Sequence, residues 1–179
     1  MSDKATDNAV IEIWGSDRWD EVAPIGDLVY PPENPITKVW RSVTWSPPQQ
    51  RVVVLDGKRP VCHVGVYYRD GLANGAPAKI CGIGGVMTRP EQQGRHHATH
   101  ALEIANELAI KRGMEFGLLI CEDKNIALYR KFGWRVFPGE MLYGQPGGKK
   151  AWQLSAVMVR DINGTAPSEG TIDLCGKPW

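Results

Sequence analysis

The chain has 179 residues, with 21 Lys and Arg against 20 Asp and Glu, a formal net charge of +1 and 42% hydrophobic residues. That length suits one domain with its own core, and the balanced charge argues against a nucleic-acid partner, which would want a basic stripe with interleaved aromatics. No apolar run is long enough to span a bilayer, and residues 1–20 lack a signal peptide's basic-then-apolar order, so a cytoplasmic protein without a membrane partner is expected.

The first part of the chain is acidic. Within the N-terminal segment 1–45, residues 1–35 hold Asp3, Asp7, Glu12, Asp17, Asp20, Glu21, Asp27 and Glu33 against Lys4 and Arg18, and the rest of the chain is correspondingly basic. An acidic rim would suit a cationic acceptor, while a solvated arm without a partner explains the same charges. Trp14 and Trp19 on this arm would staple it to the core or stack on a sugar ring.

The middle, residues 46–160, alternates strands and helices. Arg51–Leu55 reads as a strand closed by Asp56-Gly57, Val61–Arg69 as a second, and Asn74-Gly75 as the turn into a third, Ala78–Thr88. A helix from about His97 to Arg112 follows, stopped by Gly113, and Ala98, Ala101, Leu102, Ala105, Leu108 and Ala109 would pin it to the sheet. Phe116–Cys121 is an unbroken apolar run, as a central parallel strand should be. A short helix over Asn125–Phe132 ends at Gly133, and Val136–Tyr143 and Ala151–Val159 read as a closing pair of strands. A meander followed by a helical crossover to a parallel strand predicts an α/β fold, a mixed central sheet splayed at its middle with helices on both faces. Cys62, Cys81 and Cys121 sit in apolar runs without a Cys-x-x-Cys pair, so reduced, buried thiols are expected.

The stretch Gly84-Gly85-Val86-Met87-Thr88-Arg89-Pro90-Glu91-Gln92-Gln93-Gly94-Arg95-His96-His97-Ala98 carries the most chemistry. A buried strand runs into a polar, glycine-containing turn that opens a helix. The unpaired N–H groups and positive dipole end of a helix start suit phosphates, so a phosphate-bearing ligand lying against a splayed strand end is implied. Acyl-coenzyme A is such a ligand.

This segment resembles the acyl-CoA loop of the GNAT acetyltransferase superfamily, Gln/Arg-x-x-Gly-x-Gly/Ala, matched here by Gln93, His96 and Ala98. His96 stands where that family has glycine, and should keep an ordinary helical φ with its ring turned from the phosphates. Asn125-Ile126-Ala127-Leu128-Tyr129-Arg130-Lys131-Phe132-Gly133-Trp134 resembles the family's second cofactor segment. The resemblance implies acetyl-CoA as donor, bound by Val86, Met87, Thr88, Gln93, Gly94, Arg95, His96, His97, Ala98 and Asn125. It also implies a catalytic role for Tyr129 as proton donor to the leaving thiolate, although a core tyrosine on a short helix fits the spacing as well. The oxyanion would be held by a strand N–H near Met87.

The tail, residues 161–179, ends Thr171-Ile172-Asp173-Leu174-Cys175-Gly176-Lys177-Pro178-Trp179, and an apolar, rigid ending should dock. It resembles the close of the aminoglycoside 2′-N-acetyltransferases, and, with Arg89-Pro90-Glu91, the NodA-type N-acyltransferases; both acylate amino sugars. The likeness implies a tail folded onto the acceptor site and a cationic amino-sugar acceptor, aminoglycosides included, with Gly84, Gly85, Asp173 and Trp179 at the substrate. Those 2′-acetyltransferases carry a glutamate where this chain has Gly84, so the base falls to the carboxylates of Trp179 and Asp173, then Glu122. The rival readings are an acyl-CoA sensor without turnover and an acyltransferase for another small amine or a peptide amine; a homodimer is compatible with either.

Metal is not expected: His96 and His100 are one helical turn apart, but no metalloprotease Glu and no third ligand accompany them. Direct transfer to an amine likewise needs no covalent step on Cys81 or Cys121.

Overall fold

The computed structural model describes residues 9–179, so Asp3, Lys4 and Asp7 of the acidic segment lie outside the described residues. Ten strands form one mixed sheet. β1 (Ala9–Trp14), β2 (Gln50–Asp56), β3 (Arg59–Ala73) and β4 (Ala76–Thr88) run antiparallel in sequence. α3 (His97–Lys111) then crosses over to β5 (Phe116–Cys121), which lies parallel to β4. The meander, crossover and parallel strand expected from sequence are present, with β3 and β4 longer than expected. Their hairpin turns on Asn74 and Gly75, both at positive φ (50° and 81°), as a tight turn of the strands' own twist demands.

The sheet has helices on both faces, and strand alternation decides which. Cys62, Val64 and Val66 of β3 pack with Ala101, Leu102, Ala105 and Ala109 of α3 in the main core. The opposite-facing His63 meets Trp19, the first residue of α1 (Trp19–Val29), edge-on at 6.2 Å. α2 (Pro35–Trp40) is capped by Asn34, whose side chain accepts from the Ile36 N–H at 3.1 Å. The described part of the acidic N-terminal segment, from Ala9 on, is therefore a strand and two helices. No helix of the described residues is long and apolar enough to cross a membrane.

The closing pair differs from expectation. β7 (Glu140–Gln145) pairs with β8 (Gly148–Ala151) in a hairpin, while β9 (Ala156–Asp161) pairs with β5 and with the short β6 (Arg135–Val136). Between them the chain turns at Trp152, whose indole donates to Ser155 O at 3.1 Å and packs on Tyr143. That turn sends the two halves to opposite ends of the sheet. β7 instead lies beside β10 (Thr171–Asp173), which is antiparallel to the end of β3.

β4 and β5 pair only from Ile80–Phe116 to Ile83–Leu119. Past that point β4 is bulged: His63 pairs with Met87 and Gly65 with Gly84, so Gly85 and Val86 together oppose Val64. Gly85 has φ 54°, a conformation that favours glycine, and such a bulge bends its strand. The two central strands part there, opening the expected splay. α4 (Ile126–Arg130), entered through a single 3-10 turn at Asp123–Asn125, lies beyond the end of β5.

Candidate active site

A cavity of about 550 Å³ lies at the parting of β4 and β5. Its floor is β4, from Ile83 through Gly84 and Gly85 to Val86, and the end of β5, Ile120 and Cys121. Glu122, Asn125 and Tyr129 line one side. Trp19, Tyr30, Trp40 and Trp45 come from the N-terminal segment, and Tyr67 and Trp179 complete the wall. Tyr30 and Trp40 meet edge to face at 5.6 Å, as do Trp40 and Trp45 at 6.4 Å, so the aromatic wall braces itself.

Trp179, the tail residue expected at the acceptor, lines this cavity and is held from several sides. Its ring stacks on Tyr67 at 5.6 Å and its indole N–H donates to Leu118 O at 3.2 Å. The seat is cut by two glycines on one face of β4: a Cβ at Gly82 would stand 2.2 Å from the indole, and one at Gly84 would stand 3.2 Å from the terminal carboxyl carbon. Arg69 ties the approach, donating to Leu174 O at 3.0 Å and to Lys177 O at 3.1 Å, while the Ser46 N–H donates to Pro178 O at 2.7 Å. The main-chain carboxylate thus reaches the space that a side chain at Gly84 would otherwise fill.

Asp173 does not share this cavity. It is buried in β10, where its carboxylate accepts from the Lys149 ammonium and from the Cys175 N–H, and these two bonds hold it below the usual carboxylate range against its burial. It fixes the tail rather than meeting an acceptor. None of the acidic residues of the described N-terminal segment lines the cavity either; that segment contributes Ser16, Trp19, Tyr30, Trp40 and Trp45. Trp14 is buried with Arg18 stacked 3.4 Å over it, a staple, whereas Trp19 is the one that reaches the cavity.

Several titratable groups here are held neutral by burial. Burial pushes the Tyr129 phenol well above its usual range, and Tyr67 to about 12. Cys121, pushed by burial to about 11, is a thiol. His63 drops to about 4 through burial, although its bond to Gly85 O opposes the shift. That imidazole is fully used: Nδ1–H donates to Gly85 O at 2.7 Å and Nε2 accepts from Arg51 at 3.1 Å. A carbonyl can only accept and a guanidinium can only donate, so the tautomer is fixed.

The segment expected to hold phosphates lies apart from the cavity, at the start of α3. After the 3-10 turn Pro90–Gln92, residues 93 to 96 are exposed, and Gly94 and His96 have φ 78° and 62°. The ordinary helical φ expected for His96 is wrong: it caps α3 in the left-handed conformation that a glycine would take. Its side chain makes no capping bond, so the first N–H groups of α3 stay free for an anion, beside Arg95. His97, expected at the cofactor, turns inward instead and is buried against Gln92 at 3.4 Å. Met87 and Thr88 likewise stand outside the cavity; Met87 is buried and the Thr88 hydroxyl donates to Cys62 Sγ at 3.3 Å. Among the described residues no group of three or more His, Cys, Asp or Glu is placed to hold a metal ion.

Trp40, Trp45, Arg51 and His63 were missed by sequence reasoning. The available signal was two polar residues, Arg51 and His63, inside otherwise apolar strands, each 3% exposed or less.

A family profile described as an acetyltransferase (GNAT) domain matches residues 11–137. No curated protein matches with significance. Among solved structures, a GNAT family N-acetyltransferase (YhbS) of Escherichia coli in complex with CoA aligns with TM-score 0.62 at 16% identity, covering 97% of this chain and 93% of that one. An aminoglycoside 6′-N-acetyltransferase complexed with coenzyme A aligns with TM-score 0.57 at 13% identity, over 88% of this chain and 99% of that one. A probable N-acyltransferase of Enterococcus faecalis V583 aligns with TM-score 0.56 at 16% identity over 72% of this chain, which spans only 32% of its length.

Two outcomes are expected from this geometry. His96→Gly removes left-handed strain of about 1 kcal/mol and raises Tm without weakening coenzyme A binding; a lower Tm would show that the imidazole contributes packing. Because the folded pKa of His63 lies below that of the unfolded chain, its contribution is fully present above about pH 6.5 and is lost as pH falls toward 4. Urea unfolding should lose about 3 kcal/mol over that window from this group, and His63→Gln should flatten the slope by about one proton.

Proposed function

As the chain belongs to the GNAT acetyltransferase family, we propose that it transfers an acetyl group from acetyl-CoA directly to a primary amine of a small, ring-bearing acceptor held in the aromatic cavity. The observation that carries this reading is Trp179, whose carboxyl stands beside Gly84 in a cavity shared with Tyr129. Acetyl-CoA supplies an activated thioester. Its phosphates fit the free N–H groups of α3 with Gln93, Gly94, Arg95, His96 and Ala98. Val86 and Asn125 line the path into the cavity. The edge of β4 beyond Ile83, unpaired with β5, offers backbone N–H groups to the carbonyl oxygen.

The roles divide by charge. The Trp179 carboxylate, with Glu122 across the cavity, attracts the ammonium and accepts its proton through water. The free amine then attacks the thioester carbon as the carbon–sulfur bond breaks. Tyr129, kept protonated by burial, is suited to donate to the departing thiolate and unsuited to act as base. The aromatic walls suit the flat face of a sugar ring, and the tail's likeness to the aminoglycoside 2′-N-acetyltransferases and NodA-type enzymes supports an amino-sugar acceptor. The absence of a side-chain base at Gly84 favours one alternative, a sensor that binds acetyl-CoA without turnover.

Thiol release from acetyl-CoA against aminoglycosides, glucosamine and a lysine peptide tests this. Tyr129→Phe should lower kcat about 10²-fold with little change in acceptor KM. A chain ending at Lys177 should lose acceptor-dependent release while still binding acetyl-CoA. Tight acetyl-CoA binding with no release for any amine would leave the sensor.

A further inference from the structure

Arg51 brings an unneutralised positive charge to the cavity wall. The residue is 3% exposed and lines the cavity. Its Nη1 donates to His63 at 3.1 Å and its Nη2 to Ser16 O at 3.1 Å, while Nε has no partner. Among the described residues, none of the ion pairs formed includes it. Trp19 lies 5.2 Å from the guanidinium carbon, and Asp17 acts on it only from a distance. Every partner among the described residues is thus neutral, and the imidazole that supports it is held in its uncharged form.

Buried guanidinium groups are ordinarily paired with an anion, because desolvating an unpaired charge is costly. The phosphate segment cannot supply that anion: none of residues 93 to 98 lines the cavity. The opposite sign stands elsewhere in the same cavity, at the Trp179 carboxyl group and at Glu122, which shares its charge with the exposed Lys124 at 3.1 Å. We propose that the acceptor is an amine that also carries a carboxylate, bound by Arg51, with its amine directed to Trp179 and Glu122. The amine half rests on the acetyl-transfer reading; the carboxylate half does not. Ser16, in the wall and in contact with Arg51 through its carbonyl, can complete the carboxylate's hydrogen bonds with its hydroxyl. A polycation without an acid group would meet Arg51 as a repulsive contact.

The matched probes are 4-(aminomethyl)benzoate and 4-(aminomethyl)benzamide, which share a ring and an amine and differ in the acid. Calorimetry on the CoA-bound protein should show the acid binding about tenfold or more tightly than the amide. Arg51→Gln should erase that preference and Arg51→Lys should keep part of it, with CoA affinity retained in both as the sign of a folded protein. Equal affinities, binding of neither probe, or a preference that survives Arg51→Gln would overturn the assignment. A preference for the acid without thiol release from acetyl-CoA would instead sink the transfer reading and leave Arg51 as the carboxylate site.

Discussion

The site depends on one hydrogen bond, from His63 Nδ1–H to Gly85 O. Two strands paired through Ile83 would continue side by side unless something turned one away. The extra residue at Gly85-Val86 does so, and the positive φ of Gly85 aims its carbonyl at the imidazole. A backbone carbonyl turned out of the ladder must find a donor, and His63 is the one in reach. Arg51 then occupies the other ring nitrogen. Two buried strands of the meander thereby fix the opening, its neutral histidine and its positive corner together.

The tail exploits what β4 omits. Gly82 and Gly84 alternate along the strand, so their missing side chains form one slot on one face, wide enough for an indole. With Trp179 seated there, the end of the chain becomes part of the wall and its carboxylate takes the position left by the absent side chain. An α-carboxylate is intrinsically a slightly weaker base than a glutamate. In the proposed reaction it would therefore take the ammonium's proton through water by holding and orienting it, rather than by strength as a base.

Much of the fold was legible because the signals were local. Asn74-Gly75 announced its turn, the continuous run Phe116–Cys121 its buried parallel strand, and the alanine-rich stripe of 98–109 its packing against the sheet. What failed was non-local. β7 and β9 each read correctly as strands, but partner choice is decided by long-range packing, with Trp152 turning the chain between them. β1 and α1 were obscured by their acidic residues, Glu12, Asp20, Glu21 and Asp27, which face solvent while Val22 and Ile25 are buried, and α2 is only six residues long. At the site, the two motifs and the docked tryptophan were visible, whereas Asp173 was misplaced because an exposed-looking acid can be satisfied by a lysine from a distant hairpin. His96 was misread for a different reason. The loop needs the left-handed geometry more than it needs glycine, and the strain falls on the residue present.

The distribution of charge narrows the chemistry further than the shape does. Tyr129, Tyr67, Cys121 and His63 all line the cavity, and burial keeps each uncharged near neutral pH. The fixed charges are therefore few: Arg51, Glu122 and the terminal carboxylate. In a wall built of indoles and phenols, where screening by water is weak, those charges dominate orientation. An acceptor with an amine alone would leave Arg51 unanswered, and one with an acid alone would leave the terminal carboxylate so, Glu122 being already paired with Lys124 at 3.1 Å. Only a molecule bearing both, on a body flat enough for the aromatic walls, answers each corner of the cavity.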